Sequence, residues 1–372
     1  MHPELLSALA RVIDPELRVP ITDLGMVAAA ELVGAEATAT IKLTVAGCPA
    51  AARIEADCEA ALLGVPGVER VSLTMSVMNP DERAALKEKL RGGRPAKVNP
   101  FTADSFTRVF LIGSGKGGVG KSSLTANLAV ALADRGLRVG LIDADIFGFS
   151  IPEQLGLQLG TPEATPTRID EMILPPVAFG VKVMSIGMFL QQNQPVAWRG
   201  PMLHRAIEQF VTDVYWGELD FLLVDLPPGT GDVAISVGQL LQTAKTIVVT
   251  TPQAAAAQVA ERSGAVGLQT GQSVFGVIEN LSWLEQDGAR LELFGSGGGA
   301  KVAARLAELS GTEVPVLGQV PISVPLREGS DKGEPIVLAK PADPASVAIL
   351  AIAEKVAKDQ LGLVGKRLKL NP

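Results

Sequence analysis

The sequence predicts an α/β protein: a mostly parallel sheet with helices on both faces, preceded by a small α/β domain. Three observations carry this. From about residue 107 onward, short apolar runs recur, each followed by a helix-length stretch: RVFLIGS, LRVGLIDAD, VKVMSIGMF, DFLLVDLP, TIVVTTP, VFGVIENL and PVLGQVP. Strands buried on both faces read as continuous apolar runs of this kind, as in parallel sheets. Hydrophobic residues make up 47% of the chain but aromatics only 4%, so Val, Leu, Ile and Ala must fill the core. The first ninety residues behave differently, because their strand candidates alternate apolar and polar positions and so belong to a half-exposed sheet.

In order, PELLSALARVI has helical spacing and ATATIKLTV alternates as a strand. CPAAARIEADCEAALLGV is a helix with Pro49 in its first turn, GVERVSLTMSV alternates again, and NPDERAALKEKLRGG is a charged helix closed by glycine. GGRPAKVNPFTADS is rich in Gly, Pro and polar residues and serves as a linker. The predicted boundaries are an accessory domain over 1–90, a linker over 91–106 and the large domain over 107–372. Right-handed crossovers place the C-terminal ends of parallel strands along one edge, where ligands bind.

Composition excludes several functions. With 33 Lys and Arg against 40 Asp and Glu, the net charge is −7, which argues against a nucleic-acid binder. MHPELLSALARVIDPEL is not a secretory leader, and no run reaches the roughly 18 apolar residues of a spanning helix. A cytoplasmic protein without stable membrane association is expected. Two cysteines, Cys48 and Cys58, and two histidines, His2 and His204, leave a structural zinc site within one chain without enough ligands. A structural disulfide is not expected in the cytosol.

GSGKGGVGKSS, residues 113–123, follows the strand RVFLI and precedes SSLTANLAVALADRG, a helix stopped by Gly136. Gly115-x4-Gly120-Lys121-Ser122 matches the phosphate-binding loop in the strand–loop–helix setting that the motif requires. Glycines let successive N–H groups face one centre, and the helix N-terminus adds positive potential. Lys121 is placed to neutralise β and γ phosphate oxygens, and the Ser122 hydroxyl to ligate Mg²⁺. Candidate nucleotide contacts are Gly113, Ser114, Gly115, Lys116, Gly117, Gly118, Val119, Gly120, Lys121, Ser122 and Ser123. Asp225 ends the apolar run of DFLLVDLPPGTGD, the position of a carboxylate that holds hydrated Mg²⁺. Gly229 and Gly231 follow on a loop suited to sensing a γ-phosphate. Asp143 and Asp145 end LRVGLIDAD, where a cap or turn is the competing role.

The second loop lysine, Lys116, gives KGGVGKS, which resembles the deviant Walker A loop of the MinD, ParA and nitrogenase iron protein class. The resemblance implies that Lys116 reaches across a homodimer interface to the partner's ATP. GSGKGGVGKSS, IDADIFGFSIP, WRGPMLHRAIEQF, DVYWGELDFLLVDLPPGTGD and FGSGGG together resemble the Mrp/ApbC group of iron–sulfur cluster carriers. The N-terminal IDPEL, ITDLG and VAGCP resemble the small domain often fused ahead of that ATPase. The family resemblance implies slow ATP hydrolysis coupled to holding a [4Fe–4S] cluster and passing it to apo-proteins. It further implies adenine contact by Asn280, orientation of the attacking water by Asp145, and a γ-phosphate contact at Gly229. Catalytic residues on this basis are Lys116, Lys121, Asp145 and Asp225.

One departure stands out. The family's Cys-x-x-Cys ligand pair follows the Asn280 strand, but here that stretch is WLEQDGARLELFGSGGG, with no cysteine. Cys48, before a predicted helix start, is open to two readings. It is a thiol with a depressed pKa that serves as a reactive group or iron–sulfur ligand, or a small helix-start residue. Cys58, in register with Ile54, Ala61 and Leu62, is a core position.

Three functions compete. The first is an ATP-dependent iron–sulfur carrier serving apo-protein clients or other assembly factors. The second is a nucleotide-gated dimeric switch acting on a protein partner without a cluster. The third is a positioning ATPase on membrane or DNA. PASVAILAIAEKVAKDQLG is amphipathic, but its Ile349, Ile352 and Val356 face more simply docks on the sheet. LVGKRLKLNP is too short and glycine-broken to anchor.

Overall fold

All seven apolar runs are strands, and every one is parallel to its neighbours among the seven. The computed structural model describes residues 1–45, 48–92, 97–189 and 200–359, which fall into two compact units. The smaller comprises Met1–Val98, Thr165–Val177 and Asp213–Gly217; the larger holds the remainder.

The smaller unit contains α1 (Pro3–Leu9), β1 (Val27–Val33), β2 (Glu36–Leu43), α2 (Ala51–Leu63), β3 (Arg70–Val77) and α3 (Pro80–Arg91). β1 and β2 form an antiparallel hairpin, and β3 runs parallel to β2 from Glu36↔Arg70 to Leu43↔Val77. That parallel pairing needs a crossover, which α2 provides. α2 buries Ile54, Cys58 and Leu62, one side chain per turn, so Cys58 sits in the core as the spacing predicts. The helix begins at Ala51, not at Pro49, and Cys48 lies in the turn before it. α3 is closed by a capping box between Asn79 and Glu82 at one end and left-handed Gly92 at the other.

A short hairpin, β6 (Thr167–Ile169) with β7 (Met172–Leu174), completes this core from far along the chain. Ile169, Met172 and Leu174 are buried in the same cluster as Leu5, Ile41 and Ile54. Lys87 and Arg91 of α3 pair with Asp170 at 2.9 Å and Glu171 at 3.2 Å around its turn.

The larger unit begins with β4 (Arg108–Ser114), α4 (Lys121–Asp134), β5 (Val139–Asp143) and the single turn α5 (Ile151–Gln154). It continues through β8 (Val177–Ala178), β9 (Val181–Ser185), α6 (Gly200–Thr212), β10 (Phe221–Asp225), α7 (Asp232–Leu240), β11 (Lys245–Thr250) and α8 (Ala254–Gln269). It closes with β12 (Ser273–Gln286), β13 (Ala289–Leu291), α9 (Gly298–Ser310), β14 (Val316–Ile322), α10 (Val324–Lys332), α11 (Ile336–Ala339) and α12 (Pro344–Ala357). The sheet order is β13-β12-β11-β4-β10-β5-β9-β8, with β14 beside β12. α4 is so enclosed that every residue from Leu124 to Leu132 is buried.

The β10 register decides what meets at the C-terminal edge, because Asp225 stands level with Ile112 of β4 and with Asp143 of β5. Ile349, Ile352 and Val356 are buried beneath α12, and a side chain on Gly318 of β14 would strike Ile352. The apolar face of α12 is therefore spent on the sheet. LVGKRLKLNP and the start of WRGPMLHRAIEQF fall outside the described residues. Among the described residues, no helix is long and apolar enough to cross a membrane.

Candidate nucleotide site

The loop between β4 and α4 is tightly confined by the structure around it. A Cβ on Gly115 would run into the backbone of Val259 and Ala260 in α8, so only glycine lets the strand exit there. Gly118 (φ 77°) and Gly120 (φ 79°) adopt left-handed backbone, and Gly120 also lies against the Asn280 amide. Gly113 and Ser114 finish β4, and Gly117 lies near Pro228. Val119 is buried. The Ser114 hydroxyl donates to the Lys116 carbonyl at 3.1 Å. Ser123 turns away, its hydroxyl 3.3 Å from that of Ser330 in α10.

At the mouth of α4, one carboxylate gathers three side chains. Asp225 Oδ2 accepts from Lys121 Nζ at 2.6 Å and from the Ser122 hydroxyl at 2.6 Å. The Thr125 hydroxyl lies 2.7 Å from Asp225 Oδ1 and 2.9 Å from the Lys121 carbonyl. Asp225 is 0% and Lys121 6% exposed, so this ion pair is held away from water. The hydroxyl and the fixed carboxylate at this helix N-terminus are oxygen donors of the kind a phosphate-bound divalent ion takes, and the ammonium beside them suits the phosphate oxygens themselves.

Asp143 plays a different part from Asp145. Buried beside Asp225, Asp143 accepts from the N–H groups of Asp145 (3.2 Å), Ser150 (3.2 Å) and Ile151 (3.3 Å) and from the Ser185 hydroxyl (3.3 Å). Burial, then the nearby Asp225 charge, push its carboxyl up to about 7. Asp143 thus ties the loop after β5 to the sheet. Asp145 sits half-buried on that loop and accepts the Gly148 N–H at 3.0 Å. On the facing loop, the Gly229 N–H donates to the Ser114 carbonyl at 2.8 Å, and Gly231 caps α7.

Lys116 donates to Gln253 Oε1 at 2.9 Å, a contact within its own chain. The Asn280 amide nitrogen donates to the Val119 carbonyl at 2.8 Å, while its Oδ1 is buried with no hydrogen-bond partner among the described residues. A buried, unpaired acceptor costs free energy unless a ligand donor meets it.

Thr125 and Gln253 went unflagged by sequence reasoning. Thr125 had a signal: it lies one turn after Lys121 and so on the same helix face. Gln253 directly follows the strand TIVVTTP, which is the edge that carries every other site residue.

Cys48 belongs to the smaller unit, and the expectation of a depressed pKa is overturned. Its thiol is 6% exposed, and burial, then the charges of Glu16 and Asp14, push it up to about 11 despite the Ala50 and Ala51 N–H groups directed at it. Desolvation outweighs the helix-start dipole. The stretch where the cysteine pair would lie is a β-hairpin: β12 runs on to Gln286 and β13 returns beside it.

With this geometry in place, the comparisons decide the family. Residues 105–357 match the family described as NUBPL iron-transfer P-loop NTPase. The chain belongs to the iron-transfer P-loop NTPase family. Residues 3–73 match a second family, described as iron-sulfur cluster assembly protein. An "Iron-sulfur cluster carrier protein" of Mycobacterium leprae is 50% identical over 369 residues, 98% of this chain and 95% of the relative. A protein of the same description from Synechocystis is 38% identical over 95% of this chain and 96% of the relative. Among solved structures, a nucleotide-binding protein of Archaeoglobus fulgidus in complex with ADP is 34% identical, with a TM-score of 0.51 over 63% of this chain and 93% of its own.

Proposed function

We propose that this protein binds Mg·ATP in the 113–123 loop, hydrolyses it slowly as a homodimer, and carries iron–sulfur clusters as cargo to apo-proteins. The observation that supports this most is the buried Lys121–Ser122–Asp225 cluster at the start of α4. The residues fit the group they would hold. Asn280 Oδ1 offers an unmet acceptor to an amino group such as that of adenine, and Gly115 and Gly120 keep the cradle open. Ser122 would hold the magnesium ion directly and Asp225 through water. When bound, the ion supplies positive charge that offsets the phosphate oxygens.

The chain's own residues do the rest. Lys121 exchanges its Asp225 partner for β and γ phosphate oxygens. Asp145 releases Gly148 and orients the water that attacks the γ-phosphate in line. Asp143 keeps that loop in register with Asp225. Lys116 leaves Gln253 and reaches the neighbouring protomer's nucleotide, and Gly229 follows the γ-phosphate from the facing loop. Fixed charges of this kind, desolvated before reaction, are the main source of catalysis in phosphoryl transfer.

The cargo site is less conventional. The chain has only Cys48 and Cys58, and neither lies in the large unit. A carrier of this composition uses Cys48 together with a thiolate from a client, an assembly factor or a small molecule. The hairpin in place of a cysteine pair favours a second reading, a nucleotide-gated dimeric switch that acts on a protein partner without a cluster. Anaerobic reconstitution with iron and sulfide separates the two. Sulfur-to-iron charge-transfer absorbance that disappears in Cys48→Ala supports the carrier, and its absence from the wild type leaves the switch. Calorimetry tests the ATPase beneath both: Lys121→Ala abolishes tight Mg·ATP binding, and Lys116→Ala spares binding more than turnover. Equal loss of both in Lys116→Ala contradicts the trans role.

A further inference from the structure

α4 is buried without a break from Leu124 to Leu132, and Thr125 and Asn127 are the two polar residues in that stretch. Asn127 is engaged by the chain around it. Its amide nitrogen donates to the Ser123 carbonyl at 2.9 Å, and its Oδ1 takes the Val337 N–H at 3.4 Å. Thr125 is 0% exposed and directs its hydroxyl at Asp225. A valine has nearly the same shape and would bury no polar group in this apolar helix. Packing therefore does not account for the hydroxyl, and its partners must.

That hydroxyl has one proton and two acceptors in reach, Asp225 Oδ1 at 2.7 Å and the Lys121 carbonyl at 2.9 Å. The carbonyl lies one turn back and has the Thr125 N–H as its helical partner. Asp225 Oδ1 carries charge and accepts no other hydrogen bond among the described residues. The proton therefore goes to Asp225, in the shorter and charge-assisted bond. This divides the carboxylate. Oδ1 is held from inside α4, and Oδ2 is turned toward the loop, where Lys121 and Ser122 meet it at 2.6 Å each.

The two partners on Oδ2 are the ones that move. With Mg·ATP bound, Lys121 turns to phosphate oxygens and Ser122 to the magnesium ion, so of the three side chains on Asp225, Thr125 alone stays. An aspartate's χ2 is a broad, two-fold torsion, and its hydrogen bonds set the carboxylate plane. Thr125 is the opposite kind of group, β-branched and stiff at χ1 on an enclosed helix. We propose that Thr125 is the positioning residue of the magnesium site: it holds Asp225 through Oδ1 so that Oδ2 stays turned toward the loop after Lys121 and Ser122 have left. The proposal rests on the Mg·ATP reading above and adds a residue that touches neither nucleotide nor ion. Supporting groups of this kind govern metal affinity because they fix the orientation of the groups in front of them.

Binding of a fluorescent ADP to the full-length chain, titrated with Mg²⁺ and repeated in EDTA, tests it. Thr125→Val removes the donor at nearly constant volume. It raises the Mg²⁺ concentration needed for half of the metal-dependent tightening about tenfold, and leaves ADP affinity in EDTA within about twofold of wild type. Thr125→Ser keeps the hydroxyl and stays within about twofold of wild type in both measurements. Thr125→Cys, whose thiol is a weak donor, falls between serine and valine. A packing role gives the reverse order, with serine worst and valine best, so serine against cysteine still decides if the valine variant fails to fold. The proposal is overturned if the Mg²⁺ requirement is equal across the series, if affinity in EDTA falls as much as affinity with Mg²⁺, or if serine is worse than cysteine. A wild type that binds ADP no better with Mg²⁺ than without overturns the Mg·ATP reading along with it, whereas a normal wild type and a flat series overturn the role of Thr125 alone.

Discussion

Asp143 and Asp225 stand level on adjacent strands, yet among the described residues Asp225 alone of the two has an ion-pair partner within 4 Å. The asymmetry predicts a pH effect. The Asp143 carboxyl lies near 7 in the folded protein against an ordinary 3.8, so burying it neutral stabilises the fold below about pH 4. That contribution fades as pH rises through about 7. In nucleotide-free protein, the gap in melting temperature between wild type and Asp143→Asn should therefore change between pH 4 and 7, with wild type losing ground as pH climbs. A gap that stays flat across this range contradicts the raised value. Cys48 carries a second residue-level prediction: with its thiol near 11, alkylation by iodoacetamide should be slow at pH 7.5 and should quicken steadily toward pH 11. Rapid labelling at neutral pH would mean that the thiol is more open than its packing allows. The loop residues, Asp225 and Asn280 were legible because each follows a recognisable strand in a motif of fixed spacing. The Cys48 environment was not, because the acids that crowd it come from IDPEL, more than thirty residues away in sequence.

Among the elements, the parallel strands were legible as apolar runs, and α3 as a pattern with a cap at both ends. β1, with sequence VAAAELV, escaped notice because three successive alanines fit a strand and a helix equally. The hairpin of β12 and β13 was equally silent, since polar residues dominate its turn. α9 shows how glycine spacing encodes an element's position. Gly298 presses on the Thr251 and Pro252 carbonyls, and Gly299 leaves room for Glu279. The Glu279 carboxylate accepts the Gly299 N–H at 2.6 Å and the Gln319 side-chain amide at 2.7 Å, so one acidic side chain joins β12, α9 and β14. Glu279→Gln introduces a donor facing other donors and should cost about 1–3 kcal/mol in urea unfolding, with nucleotide affinity little changed. An unchanged midpoint would show that this junction contributes nothing to stability.

On the scale of the whole molecule, the division into two units could not be read along the chain. The smaller core borrows Ile169, Met172 and Leu174 from a segment between two strands of the larger unit. That segment is too short and too weakly patterned to announce its partner. A fragment of residues 1–98 should therefore be only marginally stable, since small domains have little core to spare and each missing apolar side chain forfeits about 1.5–3 kcal/mol. Adding a peptide of residues 165–177 should raise its melting temperature in circular dichroism, and a fragment that melts identically with and without the peptide would argue against a shared core.

The same borrowed hairpin sets an order on biosynthesis. The first 98 residues leave the ribosome well before residues 165–177 and 213–217, which belong to the same unit. The amino-terminal portion must wait, partly open, while much of the following sheet is translated, and a stall or early stop in that interval would release a chain with an unsealed apolar surface. For this protein, the part made first is finished late.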